Sequence, residues 1–317
     1  MKKTIACFLV CSLFLTGCSN ERIDVISYEP SFDTEITLSE ANQNSLFASD
    51  LCVLGEEDMD TQDKVMNSSA SLIVNRTKNE VVYANNIFEK LYPASITKIV
   101  TALVALKQGN PEDTITISYK ASHITESGAK LCGFNEGDQI SFNTLLNSLL
   151  IYSGNDAGIA MAEYIAGSEE DFTTLMNEEI KKLGATHSNY ENSHGLHHEN
   201  HYTTAYDIYL VFNELLNYPE FVDIINQSSY KAEYKTASGK EVAKIFQNTN
   251  GYLAGTFDAP EAITVLGGKT GTTNAAGNCL VLLSEDEDGD EYISIVLNAK
   301  TKKELYKQMT HLLSKIK

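Results

Sequence analysis

Positive charge is in short supply in this chain. Lysine and arginine together number 24 against 43 aspartates and glutamates, a net charge of −19 over 317 residues, and no local basic patch offsets it. Such a surface repels phosphate backbones and anionic lipid headgroups, which excludes nucleic-acid binding. Cysteine is scarce as well. The six are scattered and contain no Cys-x-x-Cys pair, so neither a disulfide scaffold nor a paired-cysteine zinc site fits. Hydrophobic residues make up 43% and charged residues 21%, the composition of an ordinary folded protein rather than of a disordered chain or a polytopic membrane protein. The length allows one large domain or two modest ones.

The N-terminal segment reads as an export leader. Lys2 and Lys3 precede an apolar stretch from Ile5 to Leu15 that is too short to span a bilayer core. Leu15-Thr16-Gly17-Cys18 follows and resembles the lipobox of bacterial lipoproteins, in which the cysteine becomes the lipidated first residue. The expectation is a signal peptide over residues 1–17 and lipidation of Cys18; cleavage by ordinary signal peptidase, with Cys18 incidental, is the alternative. Stable anchoring would take more than one acyl chain. Residues 18–65 are polar and acidic, with the charge run Glu56 to Asp60, and read as a spacer that lifts a folded domain, 66–317, off the membrane. Cys52, Cys132 and Cys279 are expected to be free small hydrophobes.

Within the domain, β-branched runs at 70–74 and 80–84 around a polar turn predict a β-hairpin. Apolar residues at Ile96, Ile99, Val100, Leu103 and Leu106 predict a buried helix that begins at Ser95 and ends at Gly109. Further helices are expected at about 141–152, 156–166, from a capped start at Ser168 to Gly184, and 203–216. Strands return at 264–266, 278–283 and 292–298, before a last helix carrying Leu305, Met309, Leu312 and Leu313 on one face. That order predicts an α+β fold. One antiparallel five-stranded sheet draws on both chain ends and is flanked by helices, an all-helical lobe is inserted, and a cleft lies between them.

Three motifs carry chemistry. In Ser95-Ile96-Thr97-Lys98, helical spacing brings the lysine amine onto the serine's face, where it can activate a hydroxyl that is otherwise a weak nucleophile. The same spacing recurs at Ser127 to Lys130, Ser228 to Lys231 and Ser314 to Lys317 and is read there as chance. Ser95 differs because it opens a strongly amphipathic helix, whose free backbone N–H groups can face a developing oxyanion; a plain N-cap is the alternative. Ser153-Gly154-Asn155 lies between two helices and could equally be a polar turn. Gly267 to Thr273 contains the one Lys-Thr-Gly of the chain, Lys269-Thr270-Gly271. Glycines at a strand edge admit a substrate backbone, and the lysine with its hydroxyls can hold a carboxylate; a glycine bulge is the alternative.

In this order the three motifs match the set of class A β-lactamases and penicillin-binding proteins. From about Ala70 to Leu313 the chain resembles the low-molecular-mass penicillin-binding D-alanyl-D-alanine carboxypeptidases. The likeness extends to Tyr92-Pro93-Ala94, Met176-Asn177-Glu178, His194-Gly195-Leu196 and Ala275-Ala276-Gly277. The resemblance implies that Ser95 attacks the penultimate D-alanine carbonyl and that Lys98 takes its proton. It further implies that Ser153 relays a proton to the leaving D-alanine, that Asn155 holds the acyl amide, and that Lys269, Thr270 and Thr272 grip the terminal carboxylate beside Gly271. The N–H groups of Ser95 and Thr272 would form the oxyanion hole. No metal or cofactor is implied and no obligate protein partner; the partners are peptidoglycan stem peptides and β-lactams, met at the outer face of a bacterial membrane that the protein touches only through its N-terminal lipid.

Departures from the family pattern stand out. Thr249, in Asn248-Thr249-Asn250, occupies a place where the family leads one to expect arginine. Many relatives carry a C-terminal β domain and an anchoring helix; the sequence here ends after the last helix, and the N-terminal lipid is expected to replace that tether. A β-lactamase is the first competing reading, but Gly154 replaces the Asp of Ser-Asp-Asn and no Glu-x-x-Leu-Asn loop is present, Glu214 to Asn217 lacking one residue of it. A sensor acylated by β-lactams without turnover is the second. His194, His197, His198 and His201 invite a metal reading, yet no His-Glu-x-x-His helix exists and Gly195 interrupts the run, so a solvated loop is expected.

Overall fold

The structure, a computed structural model, describes residues 63–316. The leader, Cys18 and almost all of the acidic spacer therefore lie outside the described residues. Strands β1 (Ala70–Asn75) and β2 (Glu80–Asn85) form the expected hairpin. Three more strands come from the far end of the chain: β7 (Thr264–Thr273), β8 (Gly277–Glu285) and β9 (Glu291–Ala299). Together they make one antiparallel sheet in the order β2-β1-β9-β8-β7, so the two chain ends meet where β1 pairs with β9, Ala70 opposite Leu297.

Both faces of this sheet are covered, and strand alternation sorts the side chains between them. Leu72 and Val74 of β1, Val281 and Leu283 of β8 and Ile293 and Ile295 of β9 join the larger core. Their neighbours Ile73, Leu280, Leu282 and Val296 join a smaller core on the other face. There they meet α8 (Lys302–Leu313), which supplies Leu305, Met309, Leu312 and Leu313 and is capped by Thr301. The Gln308 side chain accepts the backbone N–H groups of Asn67 and Ser68 at 2.8 and 2.7 Å, and Asp63 bonds His311 and Lys315, which ties the first described residues to this helix.

The inserted segment is built round α1 (Thr97–Gln108), which is buried from Thr97 to Ala105. A helix covered on every side belongs to a core. Around it stand α3 (Phe142–Asn147), α4 (Asn155–Ala166), α5 (Glu169–Lys182) and α6 (Ala205–Leu215), with the short α2 (Tyr119–Ser122) and α7 (Pro219–Ile225) between them. Ser168 caps α5 by accepting the Asp171 N–H, and Thr204 caps α6 in the same way from Asp207.

The fold class stands, with one correction: the inserted segment is not all helical. It also holds a four-stranded antiparallel sheet in the order β3 (Thr114–Thr116), β4 (Gln139–Ser141), β5 (Ser229–Lys235) and β6 (Glu241–Gln247). The first two strands have three residues each, too few for a periodic signal, and the last two carry charges along an exposed face. A second difference lies in β7, which continues past Leu266 to Thr273 and so takes in Lys-Thr-Gly. Among the described residues no helix is long and apolar enough to cross a membrane.

Leu282 is fully buried between sheet and α8, whereas Val82 on the outer strand is 36% exposed. Leu282→Ala is expected to lower unfolding free energy by about 2–5 kcal/mol and Val82→Ala by less than about 1 kcal/mol, read from urea denaturation. Equal losses would contradict the two-faced sheet.

Candidate active site

Ser95 sits in a single 3-10 turn, Ala94–Ile96, that leads into α1. Its neighbours on both sides are buried while Ser95 is only partly so, which turns its hydroxyl towards open space. Ala94 is held at φ +48°, a left-handed conformation unfavourable for a residue with a Cβ. Two contacts hold it there: Thr97 Oγ1 donates to the Ala94 carbonyl at 2.8 Å, and Thr97 Oγ1 meets His201 Nε2 at 2.7 Å. The N-cap alternative for Ser95 fails on geometry. The cap position of α1 is Ile96, no side chain caps it, and the Ser95 hydroxyl instead accepts from Lys98 Nζ at 2.9 Å.

Lys98 is completely buried. Its amine also donates to Asn155 Oδ1 at 2.9 Å and to the His194 carbonyl at 2.6 Å. Burial pulls its pKa down to about 7, with the charge of Lys130 acting in the same direction and Asp156 opposing. An amine poised there can accept a hydroxyl proton near neutral pH. The carbonyl it leans on belongs to a strap, residues 193–195, clamped from outside: Ser193 N–H, Ser193 Oγ and His194 Nε2 all meet Glu169 Oε1. Gly195 completes the strap at φ +88°, and a Cβ there would stand 1.9 Å from the Ala94 carbonyl oxygen.

The second motif ends a π-helical turn, Ser148–Tyr152, that continues α3. Ser153 breaks it with φ +71° and is buried, with its Oγ accepting from Lys269 Nζ at 2.8 Å. At position 154 a Cβ would lie 2.2 Å from Cys132 Sγ, so glycine is the residue that fits. Asn155 then opens α4, and its backbone N–H donates to the Lys130 carbonyl at 2.7 Å. Asp156 accepts the N–H groups of Cys132 and Gly133 at 3.0 and 2.9 Å and fixes that loop against the helix.

The third motif lies on β7, an edge strand paired only with β8. Lys269 is 1% exposed, and burial together with the charges of Lys98 and Lys130 holds its pKa well below the usual lysine value. Beside it, Thr270 Oγ1 donates to Thr249 Oγ1 at 2.7 Å, and Thr272 Oγ1 donates to Asn278 Oδ1 at 3.3 Å. A Cβ on Gly271 would stand 2.8 Å from the Pro93 carbonyl and 3.0 Å from the Ser95 nitrogen, so the strand lies directly against the Ser95 turn.

These elements enclose a cleft of about 290 Å³ that Ser95, Ser153, Asn155, Thr249, Thr270 and Thr272 help to line. Lys98 and Lys269 lie beneath it, each bonded to one of its serines. Sequence reasoning did not single out Glu169, or the two lysines that also line the cleft, Lys130 and Lys302. Lys130 had a signal, the Ser127 to Lys130 spacing read as chance; Ser127 itself is exposed and does not line the cleft. Of the histidines, His194 bonds Glu169, and His201, pushed down to about 3 by burial, bonds Thr97. Among the described residues no group of three or more His, Cys, Asp or Glu is arranged to hold a metal ion.

A protein-family model described as Peptidase_S11, D-alanyl-D-alanine carboxypeptidase, matches residues 57–301. The chain is 31% identical over 256 residues to D-alanyl-D-alanine carboxypeptidase DacF of Bacillus subtilis, covering 80% of this chain and 63% of that protein. It is 34% identical over 260 residues to DacC of Escherichia coli, covering 78% and 61%. The chain thus spans less than two thirds of the length of these curated relatives. Among solved structures, penicillin binding protein 5 from Haemophilus influenzae superposes with TM-score 0.68 at 27% identity, covering 78% of this chain and 70% of that one. The Streptomyces K15 DD-transpeptidase gives 0.70 at 23% identity, covering 78% and 98%, a likeness of fold.

An amine with a pKa of about 7 can accept a hydroxyl proton only once it has lost its own. If Lys98 serves Ser95 in this way, the rate at which a serine-directed acylating reagent labels Ser95 is expected to climb through about pH 7 and then level. Mass spectrometry of the labelled peptide reads it, and a flat profile from about pH 5 to 9 would contradict the assignment. Gly271→Ala, which forces strand and turn apart, is expected to slow the same labelling by roughly a hundredfold.

Proposed function

The chain belongs to the D-alanyl-D-alanine carboxypeptidase family, and from that membership we propose that it removes the terminal D-alanine of peptidoglycan stem peptides through an acyl-enzyme on Ser95. The observation that carries the reading is a pair of contacts across one cleft: Lys98 Nζ is 2.9 Å from Ser95 Oγ and Lys269 Nζ is 2.8 Å from Ser153 Oγ. Each hydroxyl has its own amine.

Ser95 Oγ attacks the carbonyl carbon of the penultimate D-alanine while its proton passes to Lys98 Nζ. Charge gathers on the carbonyl oxygen, which the backbone N–H groups of Ser95 and Thr272 receive; a donor of this kind contributes about 3 kcal/mol in comparable sites. As the carbon–nitrogen bond breaks, Ser153 gives a proton to the leaving nitrogen and is reprotonated with the proton that Lys98 took from Ser95, which leaves Lys98 neutral again. Asn155 steadies the acyl amide. Lys269, Thr270 and Thr272 hold the terminal carboxylate, and the Thr249 hydroxyl, by accepting from Thr270 in the place of an expected arginine, orients that threonine without adding charge. Water then adds to the ester carbonyl as Lys98 takes its proton, and the bond to Ser95 breaks as Lys98 returns that proton to Ser95 Oγ, which frees the shortened peptide.

β-Lactams would acylate the same serine. Slow release of the resulting ester is favoured by the lining, since the described residues around the cleft include no aspartate or glutamate to activate water, and Glu214 pairs with Lys107. Domain bounds and site belong to the same proposal: a leader over 1–17, a lipid-bearing Cys18 at the outer face of the membrane, and a spacer to residue 65. The Leu15-Thr16-Gly17-Cys18 pattern supports the anchor.

Incubation with a peptide ending in D-alanyl-D-alanine is expected to release D-alanine at a rate that Ser95→Ala lowers by at least about 10³-fold, while labelled penicillin remains on Ser95. Rapid penicillin turnover would make the protein a β-lactamase, and a stable label without D-alanine release would make it a sensor. For the anchor, the protein expressed with its leader is expected to partition into detergent and Cys18→Ser into water; water-phase partitioning of both contradicts lipidation.

A further inference from the structure

The cleft is lined with positive charge in a chain that has little of it. Lys130 and Lys302 both line it, and among the described residues no aspartate or glutamate does and neither lysine forms an ion pair. Each is placed by its surroundings. Lys130 lies in the loop that Asp156 fixes through Cys132 and Gly133, with its amine 4.0 Å from the centre of the Tyr152 ring and its carbonyl held by Asn155. Lys302 opens α8, with its amine 6.0 Å from the Tyr306 ring centre. They lie far apart along the chain and still sense each other: burial lowers the pKa of Lys130, and the charge of Lys302 lowers it further.

Lys98 and Lys269 lie beneath the cleft, each bonded to a serine hydroxyl, whereas Lys130 and Lys302 stand in its lining. Holding two like charges over one cleft without a counter-ion is unfavourable, and a narrow low-dielectric cleft concentrates their field on whatever enters. The terminal carboxylate of the substrate answers to Lys269 and its threonines, which leaves the rim pair without an anion of its own.

Building on the carboxypeptidase reading, we propose that the cleft selects peptides with a second carboxylate next to the scissile unit, on the side chain of the residue preceding D-alanyl-D-alanine, and disfavours an ammonium there. Lys130 and Lys302 are the specificity-determining residues. A carboxylate side chain neutralises the rim pair, whereas an ammonium adds a third positive charge to it.

Three peptides that differ only in that residue, bearing a side-chain carboxylate, amide or ammonium, test the proposal, since the terminal carboxylate is common to all. At low salt the carboxylate peptide is expected to exceed the ammonium peptide in kcat/KM by roughly tenfold with the amide between them, and the ratio is expected to shrink as salt is added. Lys130→Glu and Lys302→Glu should each move the ratio towards one or invert it. D-Alanine released equally from all three peptides would overturn the selectivity and leave the carboxypeptidase reading intact, as would a ratio unchanged in both variants. If no peptide is cleaved, the parent reading falls, and the order of Kd for the same peptides on Ser95→Ala decides the selectivity: a tenfold preference for the carboxylate upholds it and equal affinities overturn it.

Discussion

Two lysines buried in one small space are the constraint on which the rest of this structure depends. A lone ammonium removed from water is costly, and two facing the same cleft add mutual repulsion. The fold meets this by giving each amine oxygen partners and by letting its basicity fall. Lys98 has the Ser95 hydroxyl, the Asn155 side chain and the His194 carbonyl; Lys269 has the Ser153 hydroxyl and the Thr270 carbonyl. The property that makes these amines expensive to bury is the property that makes them useful, because an amine that has lost its proton near neutrality can take one from a hydroxyl.

Holding those partners in place explains features that look unrelated along the chain. Glu169 lies at the start of one helix but clamps the strap whose carbonyl meets Lys98. Ala94 and Ser153 both adopt left-handed backbone conformations, and each directs a serine hydroxyl, its neighbour's or its own, towards an amine. Gly195 and Gly271 let strap and strand reach the backbone around Ser95, where any Cβ would collide. Conformational strain of this sort, a few kcal/mol at most per residue, survives only where the surroundings leave no alternative. Here the covered helix α1 on one side and the twice-covered sheet on the other provide that rigidity.

Much of this was legible in the sequence, for reasons that differ by element. The Ser95 to Lys98 spacing is local, so helical geometry alone brings the two side chains together. The five-stranded sheet was legible because its central strands are buried on both faces and therefore written in continuous apolar runs. The small sheet was not, since three-residue strands such as Thr114–Thr116 carry no period and β5 and β6 alternate charge with apolar residues on a half-exposed surface. β7 was legible only as far as Leu266, because its glycines read as loop until neighbouring backbone is seen to need their space. Glu169 and Lys302 carry no local pattern that ties them to the cleft, and the one pattern at Lys130 pairs it with Ser127, which does not line the cleft; the placement of all three is tertiary.

The central claim is that the Lys98 amine shares the Ser95 hydroxyl proton near neutral pH. Its most direct test is a titration of that one amine by NMR on protein carrying isotope-labelled lysine, assigned by comparison with Lys98→Arg. The account predicts a midpoint at about 7, far below an ordinary lysine. A midpoint in the ordinary lysine range, with Ser95 still readily acylated at neutral pH, would contradict it.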